Sequence, residues 1–557
     1  MADEIRIGVF VCDCGSNIAG YLNVKELAEY AKTLPNVVYV KENLYTCSES
    51  GINEIKAAIK EEKLNRVVVA SCTPRTHEPL FRGTCEEAEL NPYLFEMVNI
   101  RDQCSWVHMQ ERDEGTNKAR DLIRMGVAKA ALLEPKQNIE SKMDPRAMVI
   151  GGGIAGMAAA MALGNRGYEV TLVEKADTLG GLLLQLDKLA PSNLDAAKFA
   201  AQQAELVKKV PSIRLLTSTT VKEVQGYIGN FKVTTTTNGV QDEFGVGVII
   251  VATGAQVLKP TGLYGYDGKN VITQLELEER FKAGTFEAKH VVMIQCAGAR
   301  IEERKYCSRV CCMVAIKNAI EIKERSPFTT VHILYRDIQA YGTENEALYQ
   351  HARELGVLFV SYDLSQVPVV ENGVVKVFHQ RLGRELALKS DLVVLSTPFI
   401  AGEDNETISK QLRVSLDENK FFLEGHVKLK PLDFATDGVY LCGNAHYPAT
   451  VREAISQALG AASRASIPLS KGVMTVEPIV STLVDEDACR GCGLCVALCP
   501  YGALEIVRTE KGRKVRVIEV ACKGCGVCAA TCYQHALSIN SYTDDQVGEQ
   551  IRAFLSA

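Results

Sequence analysis

The chain has 557 residues, 47% of them apolar and only 6% aromatic. That is enough for roughly three or four domains, with the Val-, Ile-, Ala- and Gly-rich interiors of α/β folds. A formal net charge of −6 offers no basic surface to nucleic acid or an anionic membrane. The opening MADEIRIG has neither a basic nor an apolar leader segment, and no apolar run is long enough to span a bilayer, so a cytoplasmic protein is expected.

The first 135 residues read as a small α/β unit. A strand at 6–11 precedes a helix near Val24–Thr33 and a strand at 37–40. A helix at Ile52–Lys63, strands at 66–70 and 93–100 and a last helix near Asn117–Ala131 follow. The polar stretch 134–146 carries two prolines and reads as a linker. A second α/β unit begins at Ala147 with strand, glycine turn, helix and strand. It reaches the strand Val248–Ala252, is interrupted by a further α/β segment and then resumes. The expected domains are therefore 1–135, a two-part domain at 146–284 and 396–470, an interrupting domain at 285–395, and a terminal domain at 478–557.

Cysteine usage is the strongest signal in the chain. In a reducing compartment disulfides do not persist, so clustered thiols are metal ligands or catalytic groups. The 19 cysteines form groups of six (Cys12 to Cys104), four (Cys296 to Cys312) and eight (Cys489 to Cys532), with Cys442 alone.

The terminal group is an internal repeat: ACRGCGLCVALCP (488–500) recurs as ACKGCGVCAATCY (521–533), 33 residues on. Each half has the C-x₂-C-x₂-C-x₃-C spacing of a bacterial-type ferredoxin, in which the fourth cysteine ligates the other half's cluster. One [4Fe–4S] cluster is thus expected on Cys489, Cys492, Cys495 and Cys532. The second is expected on Cys522, Cys525, Cys528 and Cys499. Structural zinc is the weaker alternative. Tyr533 stands where the first half has Pro500.

Gly151, Gly153 and Gly156 form G-x-G-x-x-G between the strand Met148–Ile150 and the helix Met157–Asn165. Such a turn brings backbone and a helix N-terminus to a pyrophosphate, with Ile154 and Ala155 in the turn. Glu174, 23 residues after Gly151, is placed to accept from a ribose hydroxyl, beside Lys175. Three further segments resemble flavoprotein signatures and on that likeness choose FAD over NAD. They are Gly180, Gly181 and Leu182; the ATG of Ala252, Thr253 and Gly254; and the closing segment with Gly443, Asn444 and Thr450.

Where a nicotinamide nucleotide would bind, the strand at 290–296 should lead into another glycine turn. The chain instead reads CAGARIEERKYCSRVCCM. Cys296 at the strand end, with Cys307, Cys311 and Cys312 on a helix, can supply four ligands to a third [4Fe–4S] cluster; buried or redox-active thiols are the alternative. Lys317 on the same helix reads by spacing as a solvated lysine. The amino-terminal cysteines follow strand ends, and carboxyl ends of parallel strands share one ligand-binding edge. Cys12, Cys14, Cys47 and Cys72 are the candidates for a fourth cluster, with Cys85 and Cys104 as spares and buried free thiols as the alternative. Cys442 reads as a buried thiol.

The whole chain resembles the A-type iron–sulfur flavoprotein of heterodisulfide reductase. The likeness rests on VCDCG (11–15), YTCS (45–48), ASCTPRTHEPLFR (70–82), NPYLFEMVNIRDQCSWVH (91–108), GGGIAGM (151–157), QCAGAR with YCSRVCCM (295–313), YRDIQAYG (335–342) and the terminal repeat. The resemblance implies a thioredoxin-reductase-like two-part FAD domain, an amino-terminal α/β cluster domain and a 2[4Fe–4S] ferredoxin domain. It also implies an electron-bifurcating component of a multisubunit complex. Its partners would be B- and C-like subunits, ferredoxin, and a hydrogenase, formate dehydrogenase or other donor. It places Lys317 near the flavin ring, where it would stabilise a reduced, anionic flavin, with Glu276 as a nearby acid. Many members carry an inserted ferredoxin after a GYxGNF string; here GYIGNF (226–231) runs on without cysteines. Two other function classes are an NAD(P)H-dependent reductase like the small subunit of glutamate synthase, or a non-bifurcating electron-transfer adaptor.

Overall fold

The computed structural model describes residues 4–478, 481–483 and 485–556, so the first three residues of the leader reading lie outside it. The chain forms two compact units, Met1–Glu140 with Thr475–Ala557, and Ser141–Met474.

In the first unit the strands run Val37–Asn43, Ile7–Cys12, Arg66–Ser71, Phe95–Asn99 across one sheet, all parallel. The two central strands are buried almost throughout, as expected of a sheet covered by helices on both faces. Helix Val24–Ala31 shows why the segment folds this way. The Asn23 side chain caps it, and Val24, Leu27, Ala28 and Ala31 fall on one buried face. Helix Pro74–Glu87 escapes the sequence pattern, because Pro79 lies inside it and the segment is polar; Pro74 sits in the first turn, where a missing N–H is harmless.

The expected separation of this α/β unit from the terminal domain does not hold. Helix Asp544–Leu555 packs on helix Arg112–Ala131, and Arg124 Nε donates to the Ala553 carbonyl at 2.6 Å. Gln546 Nε2 donates to the Leu132 carbonyl at 3.0 Å. Both segments therefore share one folded body.

The second unit holds two parallel five-stranded sheets. The first runs Val439–Leu441, Val248–Val251, Ala147–Ile150, Val170–Val173, Ile213–Leu216. The second runs Val271–Thr273, Leu392–Leu395, His290–Ile294, Thr330–Tyr335, Leu358–Ser361. Because Val271–Thr273 pairs with Leu392–Leu395, and Leu277 and Phe281 share the core of Val291 and Ile316, the interrupting domain starts well before the expected residue 285. The chain crosses between the domains twice, through the antiparallel pair Ala255–Val257 and Phe399–Ala401. GYIGNF forms the turn between Thr219–Tyr227 and Asn230–Thr237 in a three-stranded antiparallel sheet.

Among the described residues no helix is long and apolar enough to cross a membrane.

Candidate functional site

A cavity of about 830 Å³ opens in the second unit along the carboxyl ends of the first sheet. The glycine turn makes its floor. Gly151 has φ +109, and a Cβ there would lie 2.4 Å from the Ala252 carbonyl oxygen. A Cβ on Gly156 would lie 1.7 Å from the Gly151 carbonyl oxygen, so Gly156 serves close helix–strand packing and does not line the cavity. Gly153 has nothing within 4 Å of such a Cβ, so its side of the turn faces open cavity. The helix starts at Ile154, three residues earlier than expected, which brings its first N–H groups to the turn.

Glu174 is buried, and its carboxylate accepts from the Gly152 amide at 2.6 Å and the Ala176 amide at 2.7 Å. The acid is thereby fixed at the strand end against the turn. Ile154, Ala155, Lys175, Gly180, Gly181, Leu182, Ala252, Thr253, Gly254, Asn444 and Thr450 also line the cavity; Gly443 does not. Gly443 instead turns the chain at φ +70 and donates to Gln457 Oε1 at 3.0 Å. Asn444 Oδ1 accepts from the Ala449 amide at 2.7 Å. Thr450 caps helix Val451–Lys471 in a capping box with Glu453, and the helix start faces the cavity. Thr253 Oγ1 is buried at the wall without a protein partner. A glycine turn open at Gly153, a helix N-terminus, a pinned acid and an unpartnered hydroxyl fit a flavin dinucleotide.

Glu276 does not face the cavity. It closes a capping box with Thr273, accepting from that residue's amide at 2.7 Å, and also accepts from the Tyr266 hydroxyl at 2.6 Å. The acid of the same helix that does line the wall is Glu278, fully buried, which accepts from the Asp187 amide at 2.7 Å and from Lys317. Lys317 is buried too, so the solvated reading of its spacing is overturned; its Nζ also donates to the Lys188 carbonyl at 3.0 Å. Burial lowers the Lys317 pKa, and the Glu278 carboxylate opposes that shift. The sequence carries a signal for this: Thr273-x-x-Glu276 is a capping signature, and Gln274 and Glu278 lie four apart on one helix face.

Cys296, Cys307, Cys311 and Cys312 come together beside this wall, and Cys311 itself lines the cavity. Cys307 lies ahead of helix Cys311–Arg325, not on it, and Cys296 stands two residues beyond its strand with φ +59. Burial pushes the Cys311 thiol well above the ordinary range, and its three neighbours add to the shift. Cys312 is pushed up to about 11, again mainly by burial. At Cys296 burial raises the pKa while the Arg300 guanidinium pulls it down.

The amino-terminal edge gathers Cys12, Cys14, Cys47 and Cys72. Burial raises the Cys47 and Cys72 thiols, and each feels two of the other thiols and Arg101. The Cys14 amide at 3.3 Å and the Thr46 amide at 3.4 Å both donate to Cys12 Sγ, and an Arg101 guanidinium nitrogen lies 3.9 Å from Cys14 Sγ. Cys85 and Cys104 lie apart in the core, and burial pushes their thiols up to about 12 and 11. Cys442 is likewise buried and raised to about 12.

In the first unit a cavity of about 30 Å³ is lined by Cys489, Cys492, Cys495 and Cys532. Amides of Ala503 and Ala536 donate to Cys499 and Cys532 Sγ at 3.3 and 3.4 Å, and the Gly524 amide to Cys522 Sγ at 3.4 Å. Cys528 and Cys499 share the small core around these loops. Among the described residues no set of three or more Cys, His, Asp or Glu is spaced to hold a single metal ion. Amide donors to sulfur and guanidinium groups beside thiols suit a cluster of net negative charge.

Comparison with known proteins matches residues 145–300 to the pyridine nucleotide-disulphide oxidoreductase family and residues 488–536 to the 4Fe-4S dicluster domain. Methanopyrus kandleri has two iron–sulfur A subunits of CoB–CoM heterodisulfide reductase that match most of the chain. The second of them is 38% identical over 605 aligned positions, covering 91% of this chain and 92% of its own. The first is 38% identical over 660 positions, covering 100% and 98%. The A subunit of the H(2):CoB-CoM heterodisulfide,ferredoxin reductase of Methanothermobacter marburgensis is 38% identical over 602 positions, covering 90% and 91%. These alignments are longer than the chain, so the relatives carry residues without a counterpart here.

Proposed function

The chain belongs to the family of heterodisulfide reductase A subunits, and from that premise we propose that it is the flavin-centred electron hub of a multisubunit complex. It is a flavin- and iron–sulfur-dependent oxidoreductase with a thioredoxin-reductase-like flavin domain. One observation carries the proposal: a single cavity wall contains both the dinucleotide turn and Cys311 of the cysteine set that stands where a nicotinamide turn would be.

Bound FAD would exchange an electron pair for single electrons, and [4Fe–4S] clusters would supply one-electron stations of different potential. The residues of the chain divide the remaining work. Gly151, Gly153 and the start of helix Ile154–Gly164 hold a pyrophosphate, and Glu174 meets the ribose. Lys317 sits one contact behind the wall, its Nζ donating to Glu278 and to the Lys188 carbonyl. Of the two acids on helix Gln274–Ala283, Glu278 and not Glu276 lines the cavity. Cys296, Cys307, Cys311 and Cys312 hold the cluster next to it, Cys12, Cys14, Cys47 and Cys72 an amino-terminal one, and the terminal repeat two more. With no nucleotide turn after His290–Ile294, electrons enter and leave through proteins. In this proposal the flavin bifurcates, with B- and C-like subunits, ferredoxin and a donor such as a hydrogenase or formate dehydrogenase as partners.

An anaerobic titration with NADH, NADPH and reduced ferredoxin, followed by flavin and cluster absorbance, tests this. Bleaching of both chromophores by ferredoxin and not by the nicotinamides is the expected result. Fast stoichiometric reduction by either nicotinamide replaces the hub with a nicotinamide-linked reductase.

A further inference from the structure

Gln295 stands between the strand His290–Ile294 and Cys296. It is fully buried, and neither atom of its side-chain amide has a hydrogen-bond partner among the described residues. An unpaired amide is costly to bury, whereas a methionine of similar length would not be, so a partner for the amide is called for.

The sheet fixes where that amide lies. Side chains alternate along a strand. Val291 and Met293 face the core that holds Met313 and Ile316 of helix Cys311–Arg325, so Gln295, two residues on, faces the same helix nearer its start. Leu392–Leu395 flanks His290–Ile294 on one side and Thr330–Tyr335 on the other. Just past the end of the first flanking strand, Cys311 Sγ lies 3.6 Å from the Thr397 carbonyl oxygen. Just past the end of the second, Cys312 Sγ lies 3.7 Å from the Asp337 carbonyl oxygen. The central strand therefore ends between these two thiols, and Gln295, its backbone amide still donating to the Leu334 carbonyl at 2.9 Å, is the residue at that end. Ser396, across the sheet from it, lines the flavin cavity; Gln295 does not, so its amide serves the thiol side.

Sulfurs of a cluster accept hydrogen bonds and donate none, so the Nε2 end of the amide is the end that can meet one. We propose that Gln295 Nε2 donates to a sulfur of the cluster on Cys296, Cys307, Cys311 and Cys312 and thereby raises the potential of that cluster. Adding one electron puts more negative charge on the sulfurs, and a donor to them binds the reduced form more tightly. Gln295 thus favours the residence of a single electron beside the flavin cavity. One electron arrives from the flavin side and reduces the cluster by one, and no bond is made or broken. This rests on the ligand set proposed above.

An EPR-monitored redox titration of the anaerobically prepared full chain tests it, comparing the native protein with Gln295→Met, which keeps the length of the side chain and loses the donor. The component of the reduced spectrum that disappears in Cys311→Ala identifies the cluster. At a fixed poise its reduced-to-oxidised ratio should fall about threefold to tenfold in Gln295→Met, tenfold being 59 mV for one electron, while the other clusters keep their midpoints. An unchanged midpoint, or an equal drift of every cluster, overturns the proposal. A second readout needs no variant. With ¹⁵N confined to the glutamine side-chain amides of the native protein, pulsed EPR of the same component should show a ¹⁵N coupling. Its absence overturns the proposal even where Gln295→Met fails to fold. If Cys311→Ala loses no component, the ligand set itself is wrong; if the component is there and neither readout responds, only the role of Gln295 has failed.

Discussion

The terminal repeat and the Cys296–Cys312 set gather four thiols by opposite means. In the repeat, glycine-rich loops and five-residue helices carry the cysteines, and the core beneath them is a handful of residues, among them Leu504, Val515 and Leu537. Gly491 and Gly493 take φ +59 and +83, so the loop can wrap a cluster with little help from elsewhere in the fold. The Cys296–Cys312 set is instead delivered by a sheet edge and a helix start: Cys296 lies in the turn just after the strand His290–Ile294, Cys311 and Cys312 open a helix, and Cys307 is in the loop between. A locally wound site depends on its ligands for order, whereas a site at a sheet edge is preformed by the core behind it and is coupled to whatever else that edge binds.

This contrast is sharpest where a Cβ would collide with the fold. Gly156→Ala places a methyl 1.7 Å from the Gly151 carbonyl oxygen and should destabilise the second unit by about 3 kcal/mol or more, with loss of flavin. Gly153→Ala meets no protein atom, so the melting temperature should hold while flavin occupancy falls at least tenfold, read from the flavin-to-protein absorbance ratio. Equal loss of stability in both variants would break the separation between folding and binding roles.

A comparably large effect is expected at the buried pair. Lys317→Met leaves Glu278 buried without its cation and should cost about 3–5 kcal/mol, most of it returned by Glu278→Gln in the same chain. Hydrogen exchange of helix Cys311–Arg325 checks both, and additive losses in the double variant would show that the two groups do not interact. Smaller still, Gly493→Ala forces a methyl-bearing residue into φ +83 where nothing collides, and should cost about 1 kcal/mol confined to the terminal repeat.

Much of the site is legible in the sequence because it is local. The spacing of Cys489 to Cys532 carries the proposed ligand sets, and G-x-G-x-x-G with Glu174 after the next strand carries the proposed dinucleotide turn; the structure adds that Gly156 packs and Gly153 faces the cavity. The amino-terminal thiols are legible only through topology. Cys12, Cys47 and Cys72 are far apart in sequence and meet because parallel strands end on one edge, while Cys85 and Cys104 lie in the core. Spacing conceals the roles set by tertiary burial. Lys317 falls on a helix surface by periodicity, yet lies buried against a fully buried Glu278. Family resemblance points to Glu276 as the flavin-side acid, although the capping box with Thr273 already claims its carboxylate. The packing of the terminal helix on Arg112–Ala131 has no sequence signature at all, since it depends on two amphipathic faces meeting across the length of the chain.

The proposed cluster sites beyond the ferredoxin repeat are tested most directly by iron and acid-labile sulfide per bound FAD in the anaerobically purified full chain. Four tetrathiolate sets predict about 16 iron atoms per flavin, falling by about four in Cys311→Ala and by about four in Cys72→Ala. In Cys85→Ala and Cys442→Ala the count should not change. A native ratio near eight, unaffected by Cys311→Ala and Cys72→Ala, would mean that only the repeat binds clusters and would contradict the proposed hub.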